Sequence, residues 1–442
     1  MSNAVSPRVE RSQVLGWCLF DVANSSYTTA IITVFFGRIF AEVIVGPSQD
    51  TSNPFALGNF WWSLLLSISW LLAALIGPFL GAMSDLGRRK QFLAASVALC
   101  VLNTALLYTA GPGMILWASA LVVVSNLGFA LSENFISAFL PHISTPENIA
   151  KISGWSWGLG YFGGIACISI CAALVQVSDY GVDNFSSLRW IGPITAAFFL
   201  VFSIPTFLLV KEPSTHVGKK FSFASALQNA YSEFGQTFVK LREFPDLARF
   251  LLSFFFFYGG LSIVISFSAM YAAQVVGLKD STWQLIFFLV INVSAAVGAV
   301  LFGYVQSKIG ALKTVDLTLL IWIATILGIY FLPQIAASFG TSELRYPFIA
   351  MGTMAGGCLG ATQSASRALV GLLSPVERSG EFYGFWGLAG KLAAVSAVLS
   401  FGALQMAFDL ETAMLLCSLF FVAGLLINRT VKEDRGLRRA RE

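Results

Sequence analysis

Long apolar runs, separated mostly by short polar turns, make up nearly the whole chain. A helix needs roughly 20 apolar residues to cross a hydrocarbon core. Runs of that kind occur twelve times, at 15–42, 58–82, 91–110, 114–140, 154–177, 188–210, 250–274, 284–307, 314–335, 346–373, 382–405 and 411–428. One polar stretch, 211–249, is far longer than the other turns and separates six runs from six. The pattern predicts an all-α membrane protein of twelve transmembrane helices in two six-helix bundles, 1–210 and 250–428. A linker (211–249) joins them and a basic tail (429–442) follows. Within the linker, Ala224, Leu227, Tyr231, Phe234, Phe238 and Leu241 recur every third or fourth residue. That is one face of an amphipathic helix, expected on the membrane surface or beneath the bundles.

Polar positions inside the runs carry the next layer of information. An isolated charge within a span costs at least ~2.5–3.5 kcal/mol, so intramembrane charges are expected in pairs or at functional sites. Asp21 in span 1 and Glu133 in span 4 are acidic, whereas Arg367 in span 10 and Lys391 in span 11 are basic. Asp21, Glu133 and Arg367 each lie six or seven residues from one end of their spans. At ~1.5 Å rise per residue that is about 10 Å into the membrane. Lys391 is deeper. We expect acids of the first half to meet bases of the second when one side of the protein closes, with Glu133 and Arg367 as the pair to test. The rival reading is that each charge pairs within its own half.

Polar side chains cluster around these groups: Asn24, Ser25, Ser26 and Tyr27 in span 1, Asn134 in span 4, and Thr362, Gln363, Ser364 and Ser366 in span 10. Unsatisfied polar atoms are expensive in lipid, so these strings face a cavity or another helix. Asn24, Tyr27, Asn134 and Gln363 are candidates for lining a solute path, and Ser25, Ser26 and Ser364 for helix packing. Gly154, Gly158, Gly160, Gly163 and Gly164 in span 5, like Gly356, Gly357 and Gly360 in span 10, permit close helix approach.

Composition agrees with the pattern. Hydrophobic residues are 56% of the 442, charged residues 11%, and mean hydropathy is +0.76. A water-facing surface ordinarily needs about 25% charge. The net charge of +4 gives no reason to expect nucleic acid as a partner. Its distribution matters more. With both termini cytoplasmic, all but six of the 27 Lys and Arg fall in cytoplasmic segments. Arg189, Lys279 and Arg345 fall outside, and Arg38, Arg367 and Lys391 within spans. This follows the positive-inside rule, and the Arg-rich tail suits an anionic lipid surface. The start of the chain lacks the apolar core of a removable signal peptide.

Other chemistries find little support. The six cysteines all lie in apolar runs and read as packing residues. The two histidines, His142 and His216, fall in predicted loops. No metal cluster can be assembled from them, and no phosphate-binding loop is present. We therefore expect no cofactor and no enzymatic activity.

The two halves echo each other weakly. Gly81-Ala-Met-Ser-Asp85-Leu-Gly87-Arg88-Arg89-Lys90 follows the second span, and Gly303-Tyr-Val-Gln-Ser307-Lys308-Ile-Gly310-Ala-Leu-Lys313 ends the eighth. Parallel repeats related by an axis along the membrane normal give this pattern. The first copy resembles the loop signature of the major facilitator superfamily, with one residue fewer between acid and glycine. The resemblance implies a conformational gate of Gly81, Asp85, Arg88 and Arg89. A narrower resemblance is to the superfamily's vacuole-effluxer branch. It is carried by Asp21-Val-Ala-Asn24-Ser25, by Gly356 through Gln363-Ser-Ala-Ser366-Arg367, by Pro375, by Glu381-Phe-Tyr-Gly384, and by Gly390-Lys391. Tyr258-Gly259-Gly260 departs from it where the branch often has an acid.

The resemblance implies an alternating-access carrier with spans 1, 4, 7 and 10 lining its cavity. It implies a small polar organic solute, amino acids among the candidates, and export. Asp21 and Glu133 are the candidate proton carriers. Lipid is the surrounding partner, and a monomer in a bacterial inner membrane is expected. The rival readings are a carrier of a drug, sugar or cell-wall fragment, a non-transporting receptor or scaffold, and, more remotely, an enzyme acting on lipids.

Overall fold

The computed structural model describes residues 10–47, 55–86, 88–175, 180–213, 241–278, 281–340 and 343–441. The amphipathic pattern of the linker lies almost wholly outside them.

The described residues form twelve long helices. In order they are α1 (Arg11–Val45), α2 (Ala56–Ser84), α3 (Arg89–Leu106), α4 (Ile115–Ser137), α5 (Ile149–Val175) and α6 (Ile191–Leu209), then α7 (Pro245–Gln274), α8 (Ser281–Ile309), α9 (Ala311–Tyr330), α10 (Arg345–Leu373), α11 (Ser379–Ala407) and α12 (Leu410–Asn428). A short α13 (Glu433–Arg441) follows. Eleven of the twelve are apolar enough, by length and composition alone, to cross a membrane. The remaining one, α10, is long enough at 29 residues but is diluted by Thr362, Gln363, Ser364, Ser366 and Arg367. Helices begin and end where local chemistry dictates. Pro245 opens α7 at a position where a missing N–H costs nothing. The Asp409 side chain caps α12 by accepting from the Thr412 N–H at 2.7 Å. The expected ninth span, 314–335, is broken: α9 stops at Tyr330, and Pro333 sits in the first turn of a new helix, Leu332–Ser338.

The outer part of α1 is not uniformly α-helical. Thr28–Val34 and Ile39–Val45 form wider turns, with the Phe35 N–H reaching the Ala30 carbonyl at 3.1 Å. Such π-type turns often occur at functional sites in helices.

Packing repeats between the halves. Helix α1 lies against α5 and α6 as α7 lies against α11 and α12; α4 bridges α2 and α3 as α10 bridges α8 and α9. The halves meet through α2 with α11, α5 with α8, α5 with α10, and α4 with α11. Lipid supplies no hydrophobic drive between helices, so close backbone approach must do so. Cβ atoms at Gly81 and Gly384 would overlap Gly380 and Pro78 respectively, across the α2–α11 crossing. A Cβ at Gly154 would come within 2.5 Å of the Ala299 carbonyl across the α5–α8 crossing. Gly160, Gly163 and Gly164 face α1 in the same tight way. The glycines of span 5 are therefore packing residues.

We call the end where α1 and α7 begin and α6 and α12 finish the basic face.

Candidate functional site

The basic face of α2 ends in a carboxylate that holds the other half. Asp85, just after α2, accepts the backbone N–H groups of Gly380 and Glu381 at 2.9 Å each. These are orphan donors of the first turn of α11, where a negative charge is favoured. On its other side Asp85 receives Arg89 Nε at 2.9 Å and Nη2 at 2.5 Å. Arg89 also donates to the Ala138 carbonyl at 3.2 Å and to the Val376 and Glu377 carbonyls at 3.4 and 3.3 Å. The guanidinium thus joins α3, the end of α4 and the turn before α11. Burial pushes the Asp85 carboxyl up to about 6, against the pull of Arg89 and the two backbone donors.

Arg88 stands at the start of α3 and bonds Gln91 on its own helix at 3.2 Å, and Arg89 makes the contacts just given to the second half. One sequence expectation changes here. His142, expected in an open loop, is half-buried in a short helix, Leu140–Ile143, with Nε2 against Arg89 and the Ser379 hydroxyl.

Carboxylates absent from the sequence reading brace this region. Glu212 accepts the backbone N–H groups of Arg89 and Lys90 at 2.7 and 2.9 Å, capping α3. Glu433 accepts those of Ala311 and Leu312 at 3.2 Å each, capping α9. Both acids belong to the same tripeptide, Val210-Lys211-Glu212 after α6 and Val431-Lys432-Glu433 after α12. That second repeat was the available signal. Glu10 pairs with Lys211 at 2.7 Å beside α1, and Asp246 with Arg435 at 2.6 Å beside α7.

Deeper in the bundle a second contact joins the halves. Arg367 on α10 donates through Nη1 to Asp21 Oδ2 on α1 at 2.8 Å. Nε reaches the Ser153 hydroxyl and Nη2 the Ser153 carbonyl, both at 3.2 Å on α5. Ser156 donates to the same Asp21 oxygen at 2.7 Å. The indoles of Trp17 and Trp157 flank the guanidinium, with ring centres 4.6 and 5.2 Å away. The arginine of the second half is therefore caged by groups of the first. Its partner is Asp21 and not Glu133, because α5 and α1 present their polar faces to α10 at that level.

Glu133 instead has Lys391 as its strongest basic electrostatic neighbour, ahead of Arg367, with no ion pair within 4 Å joining Glu133 and Lys391 among the described residues. Tyr258 is also within electrostatic reach of Glu133, at the place where the family resemblance led one to look for an acid. Each half contributes its own aromatic cluster near this pair. Trp157 neighbours Tyr161 at 6.0 Å, Tyr258 lies 4.9 Å from Phe254, and Phe254 stacks on Trp386 at 5.6 Å. Tyr161 donates to Gln363 Oε1 at 2.6 Å, another link between α5 and α10. Trp157 Nε1, Trp386 Nε1, Asn24 Oδ1 and both amide atoms of Asn134 are buried without a protein partner. Buried polar atoms are normally paired, so these stand out among the described residues. Asn134 is wedged against Gly77 and Gly387, between α2 and α11. Tyr27 departs from expectation. It is fully buried, bonds Ser125 at 2.8 Å and stacks on Phe129, all inside the first half. It supports α1 against α4.

Comparison with known proteins bears on this arrangement. Residues 61–441 match the family model described as vacuole effluxer Atg22 like. The chain belongs to that family. It is 27% identical over 436 residues to an uncharacterized MFS-type transporter, YxiO, of Bacillus subtilis, covering 95% of this chain and 94% of that protein. It is 23% identical over 496 residues to autophagy-related protein 22 of Coccidioides immitis, covering 95% and 80%. Among solved structures, the proton:xylose symporter XylE superposes with a TM-score of 0.73 at 15% identity, covering 98% of each chain. The fold is that of the major facilitator superfamily, and this member of the effluxer family is a multi-pass membrane transporter.

Proposed function

We propose that this transporter is an alternating-access carrier of a small polar organic solute, amino acids foremost. The observation that carries the reading is the buried Asp21–Arg367 pair between halves, with Glu133 and Lys391 beside it. A purely structural bundle has no need for opposite charges on facing halves at that depth. A solute bearing both an ammonium and a carboxylate suits the loose Glu133–Lys391 pair. Asp21, Asn24, Asn134, Gln363 and Arg367 would surround it, and the Asp85–Arg89 gate would close below. The basic face is cytoplasmic by the positive-inside rule, in a bacterial inner membrane. The name of the family, vacuole effluxer, favours export. Glu133 and Asp21 are the groups able to carry a coupled proton, as the symporter title of the structural neighbour encourages.

Reconstituted proteoliposomes test this with a panel of amino acids, sugars and drugs, with and without a pH gradient. Amino-acid flux that rises with the gradient and is lost in Glu133→Gln is the expected result. Flux of a sugar or drug alone replaces the substrate. No flux, together with no solute that shifts thermal stability, overturns the carrier reading in favour of a receptor or scaffold.

A further inference from the structure

The repeat allows cations on the two halves of the basic face to be compared position by position. Glu212 on the Arg89 and Lys90 amides and Glu433 on the Ala311 and Leu312 amides set the register between the copies. In the first half three of the cations are satisfied internally. Arg89 holds Asp85, Lys90 donates to the Phe207 carbonyl at 2.8 Å, and Lys211 holds Glu10. The second half has Ser307 and Ala311 in place of Asp85 and Arg89. It gains Lys308 at the end of α8, Lys313 in the first turn of α9 and Arg429 after α12, and it keeps Lys432 as the counterpart of Lys211. All four are exposed, and their side chains have no hydrogen-bond or ion-pair partner among the described residues.

Contacts between their chain neighbours hold the four in one patch. Asn428, next to Arg429, donates to the Leu312 carbonyl at 3.3 Å, next to Lys313. Glu433, next to Lys432, caps α9 and faces Gly310, two residues from Lys308. Nearby acids are largely occupied: Glu433 by the helix cap and Asp316 by Asn428 at 2.8 Å. Asp434 is exposed in the same stretch. One or two turns along the same helices, Leu301, Ile309, Leu317, Leu320 and Leu426 are exposed. In a membrane protein an exposed apolar belt meets acyl chains. Cations at the edge of such a belt meet headgroups.

We propose that this rim, Lys308, Lys313, Arg429 and Lys432 at the ends of α8, α9 and α12, is a binding site for an anionic phospholipid. The cations hold the phosphate and the apolar faces of α8, α9 and α12 carry the chains. A free phosphate would have no use for the apolar belt. The equivalent rim of the first half, where Arg89, Lys90 and Lys211 are held internally and Arg11 stands apart, holds no such lipid. The site is independent of the transported solute, and of whether any is transported.

The test uses the full-length protein purified in phosphatidylcholine nanodiscs with and without phosphatidylglycerol. Retained lipid is measured by native mass spectrometry, and thermal unfolding is followed in parallel. Wild type should retain phosphatidylglycerol preferentially and unfold at higher temperature in its presence. The triple variant Lys308→Gln, Lys313→Gln, Lys432→Gln should lose that preference by about a hundredfold, about fivefold per cation. Its unfolding in pure phosphatidylcholine should stay as in wild type, which shows that the fold is intact. Arg11→Gln, on the first half, should behave as wild type. Inorganic phosphate in phosphatidylcholine nanodiscs should not substitute for the lipid. Equal retention by the triple variant, equal loss in Arg11→Gln, or full stabilisation by inorganic phosphate would each overturn the proposal.

Discussion

The two halves share one scaffold at the basic face and use it differently. In each, a Val-Lys-Glu segment after the sixth helix of the half caps the third helix. In each, an acid beside the first helix pairs with a cation from the segment after the sixth. Only the first half adds Asp85 and Arg89, which reach across to α11. The second half has Ser307 and Ala311 there, and Lys308, Lys313, Arg429 and Lys432 are exposed. The same asymmetry holds deeper, where the first half supplies the acids Asp21 and Glu133 and the second the bases Arg367 and Lys391. Repeated elements hold each half together, whereas unrepeated charges hold the halves to each other.

The sharpest way to break that division is to remove an unrepeated charge. Arg367→Met leaves Asp21 buried without its counter-charge, which costs about 3–5 kcal/mol. A fall of that size in thermal or denaturant stability in nanodiscs is expected. Adding Asp21→Asn should restore most of the stability and none of the transport. If the double variant is as unstable as the single, the pair is not a direct one.

Next in size are the glycines of the interface. A Cβ at Gly380 would come 2.5 Å from Asp85 Oδ1 and 2.6 Å from the Gly81 carbonyl. Gly380→Ala should therefore disfavour closure by about 1–3 kcal/mol. Gly402 has nothing within 4 Å, and Gly402→Ala should leave closure unchanged. Solvent accessibility of a cysteine introduced at Ser379 reads both.

The repeated carboxylates should matter less, and equally. Glu212→Gln and Glu433→Gln each weaken a helix cap, at about 1 kcal/mol apiece. Their unfolding midpoints should drop together, and a drop in only one would show that the repeat is not functionally symmetric.

A further effect is on pH. The closed state raises Asp85 from its ordinary 3.8 to about 6. Opening returns it to water, so closed protein holds the proton more tightly and closure is favoured as pH falls from about 6 towards 4. Above that window both states are ionised and the equilibrium is flat. Asp85→Asn should remove the slope in the Ser379 accessibility assay.

Much of the fold was legible because each span is a long apolar run and each break is polar. The pairing of first-half acids with second-half bases followed from depth alone, but the partner of Arg367 did not. Depth counts residues along one helix, whereas the partner depends on how α5 and α1 are rotated to place Ser153, Ser156 and Asp21 together. Tyr27 misled because a phenol inside a polar string looks like a path residue until its hydroxyl is seen on Ser125. The Val-Lys-Glu repeat passed unseen because one copy opens the linker and the other the tail, both read as charge runs. Trp157 carries no signal in sequence; its buried, unpartnered indole N–H beside Arg367 needs coordinates.

The central claim is that unrepeated contacts close the basic face and must break for the carrier to turn over. Spin labels on cysteines at exposed Glu147 and Arg438, one on each half, measure this directly. All six native cysteines are buried and should label poorly. Wild type should show one short distance dominating, and Gly380→Ala and Arg367→Gln should each move population to a longer one. An unchanged distance distribution in both variants, with the proteins folded, would contradict the account.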